Sequence, residues 1–169
     1  MVVFDRDGNF LRSWGEGVFP RAHGITMGPD DTIFCTDDGD HTVRHCTLDG
    51  KVLMTLGISG QPAPFMSGNP FHRCTHVAID PHDGSLYVGA PPQIWKLTDT
   101  DDDGVADKRE IWFDGKTLNS CANDMHGPYI GPDGWIYWSK GPAQQTYQVN
   151  GKPWTTTARH ILRRHPDRQ

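Results

Sequence analysis

The chain has 169 residues, 36% of them hydrophobic and 22% charged, with a formal net charge of -5 at pH 7. That length allows one domain with its own core, and a mildly acidic balance without any basic block argues against nucleic acid as a partner. No apolar run approaches the ~20 residues that a membrane-spanning helix needs, while 19 Gly and 13 Pro point to an all-β fold with many turns.

The opening VVFDRDGNFLRSWG reads as two strands joined at Asp7-Gly8. From His23 onward one pattern occurs three times: HGITMGPDDTIF from His23, HVAIDPHDGSLY from His76 and HGPYIGPDGWIY from His126. Each copy starts with His and ends in an aliphatic-aromatic pair, and the histidines are 53 and 50 residues apart. That period suits a four-stranded propeller blade better than the shorter repeats of helical solenoids. Within a copy the order is a short apolar strand, a tight turn at Gly-Pro-Asp or Pro-His-Asp-Gly, and a β-rich strand such as TIFCT, SLYVGA or WIYWS. Third strands TVRHCTL and QIWKLTD and fourth strands KVLMTLG and REIWFDG then follow, and the opening hairpin matches these last two. The expected blocks are a partial blade over 1–20, a blade over 21–72, a blade over 73–122 and a partial blade over 123–169. In the last of these, Gly141 to Thr157 reads as a long loop and RHILRR as a strand. About three blades cannot close a ring that normally takes ~4 to 8. A fragment of a longer six-bladed propeller is expected, its remaining blades being partners, and ring completion by oligomerisation is the alternative. The natural start is expected upstream of Met1, whose neighbours lack a signal peptide's charged and apolar regions.

The sharpest local motif is Asp99, Asp101, Asp103, Val105, Asp107 and Glu110, with Gly104 at the sixth place of twelve. Calcium needs several hard oxygens on a tightly turned backbone, and this spacing supplies them; the plainer reading is a solvated acidic turn. His23, His76 and His126 open the inner strands of three successive blades, which would aim their rings at the central channel. Zinc accepts three histidines and a water, whereas the structural alternative has each ring hydrogen-bonded to a neighbouring blade. His72, Arg73 and Asp124 fall near the same rim, where Arg can clamp a carboxylate substrate and Asp can orient a histidine. Cys35, Cys46, Cys74 and Cys121 have no CxxC spacing and read as buried thiols, with a Cys35–Cys46 bridge across the Asp37-Asp38-Gly39-Asp40 turn as the alternative. Trp95, Trp112, Trp135 and Trp138 read as core, and Trp154 falls in the irregular segment.

Residues 1 to about 85 resemble the NHL-type propellers of the peptidyl-hydroxyglycine amidating lyase family, through FLRSWGEG, HGITMGPDDTIFCTDDGDHTVRHC and DGKVLMTLGISGQPAPFMSG. The resemblance implies a metal-dependent lyase acting on a small-molecule or peptide substrate, exported to the periplasm or extracellular space, with His23 as one of three zinc ligands. The family's Asp-Gly-Tyr segment, which supplies a catalytic tyrosine, stands here as Gly89-Ala90-Pro91-Pro92. From about residue 86, PPQIWKLTDTDDDGVADKREIWFDGK and CANDMHGPYIGPDGWIYWSKG look like the propeller of membrane-bound dehydrogenases related to the sorbosone and glucose quinoprotein enzymes. This second resemblance implies pyrroloquinoline quinone as cofactor and His126 as base. A non-catalytic module with structural calcium is the remaining expectation.

Overall fold

The computed structural model describes residues 1–64, 71–116, 125–157 and 159–167. Val2–Phe4 (β1) and Phe10–Ser13 (β2) form a hairpin. Ala22–Met27 (β3), Thr32–Asp37 (β4), Thr42–Thr47 (β5) and Val52–Leu56 (β6) then make a four-stranded antiparallel meander. His76–Ile79 (β7), Leu86–Ala90 (β8), Gln93–Thr98 (β9) and Lys108–Asp114 (β10) repeat it. Met125–Ile130 (β11) and Ile136–Lys140 (β12) start a third sheet; Thr146–Val149 (β13) and Lys152–Thr155 (β14) form a separate hairpin, and His160–Arg164 (β15) returns to pair with β12. Among the described residues there is no helix and no closed ring.

Period-two alternation explains how these sheets stack. On β4, Ile33 and Cys35 face a core shared with Met1, Trp14 and Phe19 of the N-terminal segment, whereas Phe34 faces a second core with Val43, Val77, Val88 and Leu97. On β8, Val88 enters that second core, and Tyr87 turns into a third core with Ile94, Trp112, Met125, Ile136 and Trp138. The two complete sheets are therefore apolar on both faces, each face covered by the neighbouring sheet. Fully burying one such side chain contributes about 1.5–3 kcal/mol. The first strands β3, β7 and β11 lie side by side, β7 in the middle. Their approach is close: a Cβ on Gly89 would lie 2.1 Å from the Gly127 carbonyl oxygen.

The 141–157 segment differs from expectation. It is not an irregular loop but carries the β13–β14 hairpin, with Val149 opposite Lys152 and a two-residue turn at Asn150 (φ 52°) and Gly151 (φ 72°). Two consecutive left-handed residues are what a type I′ hairpin turn requires, and Asn-Gly is its strongest sequence signal. Cys35, Cys46 and Cys74 are free and buried. Cys35 stands opposite Arg44 and Cys46 opposite Ile33, a diagonal pairing that spaces the backbones too widely for a relaxed bridge. Cys121 lies outside the described residues. Of the core tryptophans, Trp112 and Trp138 are buried and Trp95 packs on the second core, but Trp135 is only half-buried beneath the Arg163 guanidinium.

Candidate functional site

Strand register separates two ends of each sheet. His76 pairs with Gly89, at the end where β8 runs into β9, whereas Leu86 pairs with Leu97 beside the acidic loop between β9 and β10. The histidines and the acidic loop thus occupy opposite ends of the sheet.

At the histidine end, His23 Nδ1 lies 2.8 Å from the carbonyl oxygen of Thr75, on the neighbouring sheet. A carbonyl only accepts, so Nδ1 carries the proton and Nε2 keeps its lone pair. The His126 ring stacks alongside, with centroids 5.7 Å apart and planes 22° from parallel. His76 is placed differently. Its Nε2 meets Thr26 Oγ1 at 3.1 Å, and that hydroxyl gives its own proton to the Val77 carbonyl at 2.6 Å, so Nε2–H must be the donor. The remaining lone pair on Nδ1 abuts Gly24, where a Cβ would come within 2.6 Å of it. Tyr129 covers the ring at 4.4 Å between centroids. Burial first, and the nearby His23 second, push the His76 imidazole down to about 4. The same two causes lower His126. Below these rings a cavity of about 350 Å³ is walled by Ile25, Met27, Ile79 and Tyr129.

The nitrogens of the three histidines do not all fall within 4.8 Å of one another; among the described residues the metal-ligand group that does is Asp99, Asp101 and Asp107. In that loop Asp99 accepts the backbone N–H groups of Gly104 at 2.7 Å and Asp103 at 3.3 Å. Slight burial would raise its carboxyl, but backbone donors from Gly104, Asp102, Asp103 and Asp101 outweigh this and hold it below the usual carboxylate range. Asp107 accepts from Thr100, and Asp103 caps the Val105 N–H at 2.8 Å. Glu110 lies on β10 and pairs with Lys108 at 2.5 Å, away from the three-aspartate group.

Arg73 is exposed, in a left-handed position (φ 49°), its N–H donating to His41 Nδ1 at 3.0 Å. His72 stacks on His41 at 5.3 Å and donates from Nδ1 to the Ala63 carbonyl. Arg73 and His72 therefore gather around His41, a residue the sequence reading did not single out. Asp124 lies outside the described residues. A second feature not anticipated is the buried polar knot at the same end as His23. Asp40 pairs with Arg44 and accepts from Thr42 at 2.6 Å and Ser59 at 3.0 Å, and Asp37 accepts the N–H groups of Arg21, Gly39 and Asp40. Its only sequence signal is the Asp37-Asp38-Gly39-Asp40 turn.

Sheets of antiparallel strands stacked face to face, with their first strands adjacent and histidines on those strands, define the chain as part of a β-propeller. The chain belongs to the family described as Domain of unknown function (DUF7133), whose sequence pattern matches residues 73–169, more than half of it. It is also 36% identical over 75 residues to peptidyl-alpha-hydroxyglycine alpha-amidating lyase 1 of Drosophila melanogaster, covering 43% of this chain and 13% of the relative. Peptidylglycine alpha-amidating monooxygenase of Rattus norvegicus is 26% identical over 131 residues, covering 75% of this chain and 12% of the relative. The chain thus spans about an eighth of the length of these relatives. A match over three quarters of the chain necessarily crosses residue 86, so likeness to the amidating enzymes continues beyond the expected change of resemblance.

Proposed function

We propose that this chain is part of an exported propeller enzyme of the amidating-lyase type, in which inner-strand histidines hold a divalent metal, zinc, beside a peptide substrate. The pair His23 and His126 carries this reading: two imidazoles from different sheets stacked at 5.7 Å, one with its Nδ1 proton fixed on a backbone carbonyl and its Nε2 lone pair left to bind. A carbonyl on the far N–H is the usual way of fixing a metal-binding histidine. Zinc, when bound, would supply a water that ionises near neutral pH. The chain's own residues would then divide the work. His23 and His126 ligate, His76 stays neutral and props the inner strands, and Ile25, Met27 and Tyr129 give the adjoining open cavity an apolar wall for the substrate. The names of the two relatives support a peptide-linked substrate; the reaction belongs to the whole protein.

The quinone-linked dehydrogenase resembled from residue 86 onward is the second reading, favoured by His126, whose lowered basicity leaves a neutral imidazole able to accept a proton at neutral pH. A non-catalytic propeller with calcium on Asp99, Asp101 and Asp107 is the third. One experiment separates them. The full chain is stripped with chelator, dialysed against zinc, and its metal counted by plasma mass spectrometry. The lyase-type reading expects one zinc per chain, at least tenfold weaker binding in His23→Ala and His126→Ala, and less than a twofold change in His76→Phe. Quinone absorbance without zinc would transfer the site to the dehydrogenase reading, and neither metal nor quinone would leave the module.

A further inference from the structure

The three histidine copies differ in one residue and in one backbone feature. Glycine follows His23 and His126, whereas Val77 follows His76. The β7–β8 ladder is regular, with His76 opposite Gly89 and Val77 opposite Val88. The other two ladders are interrupted at the histidine. Between β3 and β4, Ala22 faces Asp37 and Gly24 faces Thr36, which leaves His23 as one extra residue on the inner strand. Between β11 and β12, His126 faces Ser139 and Tyr129 faces Tyr137, so Gly127 and Pro128 together oppose Trp138. An inserted residue of this kind bends the strand and re-aims the side chain beside it. Glycine suits both places: Gly127 has φ 111°, and a Cβ on Gly24 would come within 2.6 Å of the Thr75 carbonyl oxygen.

A bulge takes backbone groups out of the ladder, and in both sheets a hydroxyl on the second strand receives one of them. Thr36, which is buried, accepts the Gly24 N–H at 2.8 Å through Oγ1 and donates to the Thr75 carbonyl at 3.0 Å, the same oxygen that holds His23 Nδ1–H. Ser139 Oγ accepts the His126 N–H at 3.3 Å. In the regular sheet the corresponding place is Gly89, which has no side chain. Glycine after the histidine, bulge and hydroxyl thus occur together in the two sheets whose histidine rings stack on each other. The sheet whose histidine is enclosed against Gly24 has none of the three.

We propose that Thr36 and Ser139 are positioning residues, whose hydroxyls fix the bulged backbone so that the His23 and His126 rings are presented together to one zinc ion. This deepens the amidating-lyase reading given above and rests on it. Each hydroxyl acts through the histidine beside it, by limiting the ring orientations that metal binding would otherwise have to freeze.

The test reads the full chain in two ways. Nuclear magnetic resonance of the metal-free chain follows the Overhauser contact between the His23 and His126 rings, and competition with a chromophoric chelator gives the zinc affinity. Thr36→Val keeps the side chain's shape and removes its hydroxyl, Thr36→Ser keeps the hydroxyl, and Ser139→Ala removes the other one. Thr36→Val and Ser139→Ala are expected to weaken the ring contact and to bind zinc about tenfold more weakly, whereas Thr36→Ser stays close to the native chain in both readings. Thr26→Val removes a hydroxyl bonded to His76 instead, and is expected to change neither. A native ring contact in both Thr36→Val and Ser139→Ala would overturn the proposal. So would equal losses in Thr26→Val, which would make the hydroxyls general supports of the fold. Should Thr36→Val fail to fold, Ser139→Ala carries the same test on its own ring. A chain that binds no zinc, while its ring contact responds as expected, would overturn the lyase-type reading and uphold the role of the two hydroxyls in placing the rings.

Discussion

Acidification should destabilise the chain through His76 in particular. Its imidazole titrates at about 4 in the folded chain, against about 6.5 when unfolded. Because the folded value is the lower one, the unfolded chain binds more protons between these limits, and stability falls as pH falls. The full contribution is present above pH 6.5, is lost progressively from 6.5 down to 4, and is gone below 4. Between pH 7.5 and 5 the two values give a loss of about 2 kcal/mol, and since the ring is only partly buried, solvent screening reduces this to roughly 1 kcal/mol. For a chain of this size that corresponds to a fall of about 2–4 °C in Tm. The assay is urea unfolding at both pH values, followed by tryptophan fluorescence, for the native chain and for His76→Phe. Phenylalanine keeps the ring against Tyr129 and cannot titrate, so the variant should lose about 1 kcal/mol less on acidification. His41, His45 and His126, also lowered by burial, remain in both proteins and cancel in the comparison. If the two proteins lose stability in parallel, within about 0.3 kcal/mol, His76 is not the partly buried neutral imidazole described above.

Other changes test separate parts of the structure. Gly89→Ala should destabilise by about 3 kcal/mol or more, because the new methyl meets the Gly127 backbone oxygen at 2.1 Å and neither inner strand can yield; a near-neutral result in denaturant unfolding would mean that β8 and β11 are further apart. Asp40→Ala should cost about 3–5 kcal/mol by leaving the Arg44 guanidinium buried without its partner, while Asp40→Ala combined with Arg44→Met should recover much of that loss in the same measurement. Calcium is expected to raise the melting temperature. Asp101→Ala or Asp107→Ala should remove most of the rise, and Asp102→Ala and Glu110→Ala should keep it; equal responses from all four would indicate diffuse charge attraction instead of a site.

The parts of this fold that were legible in the sequence are those set by local periodicity. The repeated aliphatic-aromatic pairs mark β4, β8 and β12, and Asp7-Gly8 marks the first hairpin turn, because side-chain alternation and turn chemistry act within a few residues. The β13–β14 hairpin was equally local, and Asn150-Gly151 announced it, but the Gln, Thr and Pro around that pair lowered the apparent strand character of the segment. The roles of the histidines were not local. His76 is tied up by Thr26, 50 residues earlier, and His23 is oriented by Thr75, 52 residues later, so the spacing that grouped three histidines could not show that one of them points its lone pair into a glycine. Glu110 fits the calcium spacing by count, yet strand pairing places it on β10 beside Lys108. Nor did spacing show that the acidic loop and the histidines belong to opposite ends of the same sheet, which follows only from strand direction.

Thr75 ties together more of the inner strands than any sequence motif indicated. Its carbonyl receives both His23 Nδ1 and Thr36 Oγ1, and its hydroxyl reaches the Gly127 carbonyl at 3.0 Å, so one residue of the middle sheet fastens the sheets on either side. Stacked repeats ordinarily unfold as a sum of units and nearest-neighbour terms, with the ends free to fray. A shared fastener at the axis couples those units: fraying either outer sheet would break bonds to the residue that also steadies the other. Hydrogen exchange should therefore report one common opening for β3, β7 and β11, with the outer strands β6 and β10 exchanging earlier, and the histidine pair would exist only while all three sheets are docked.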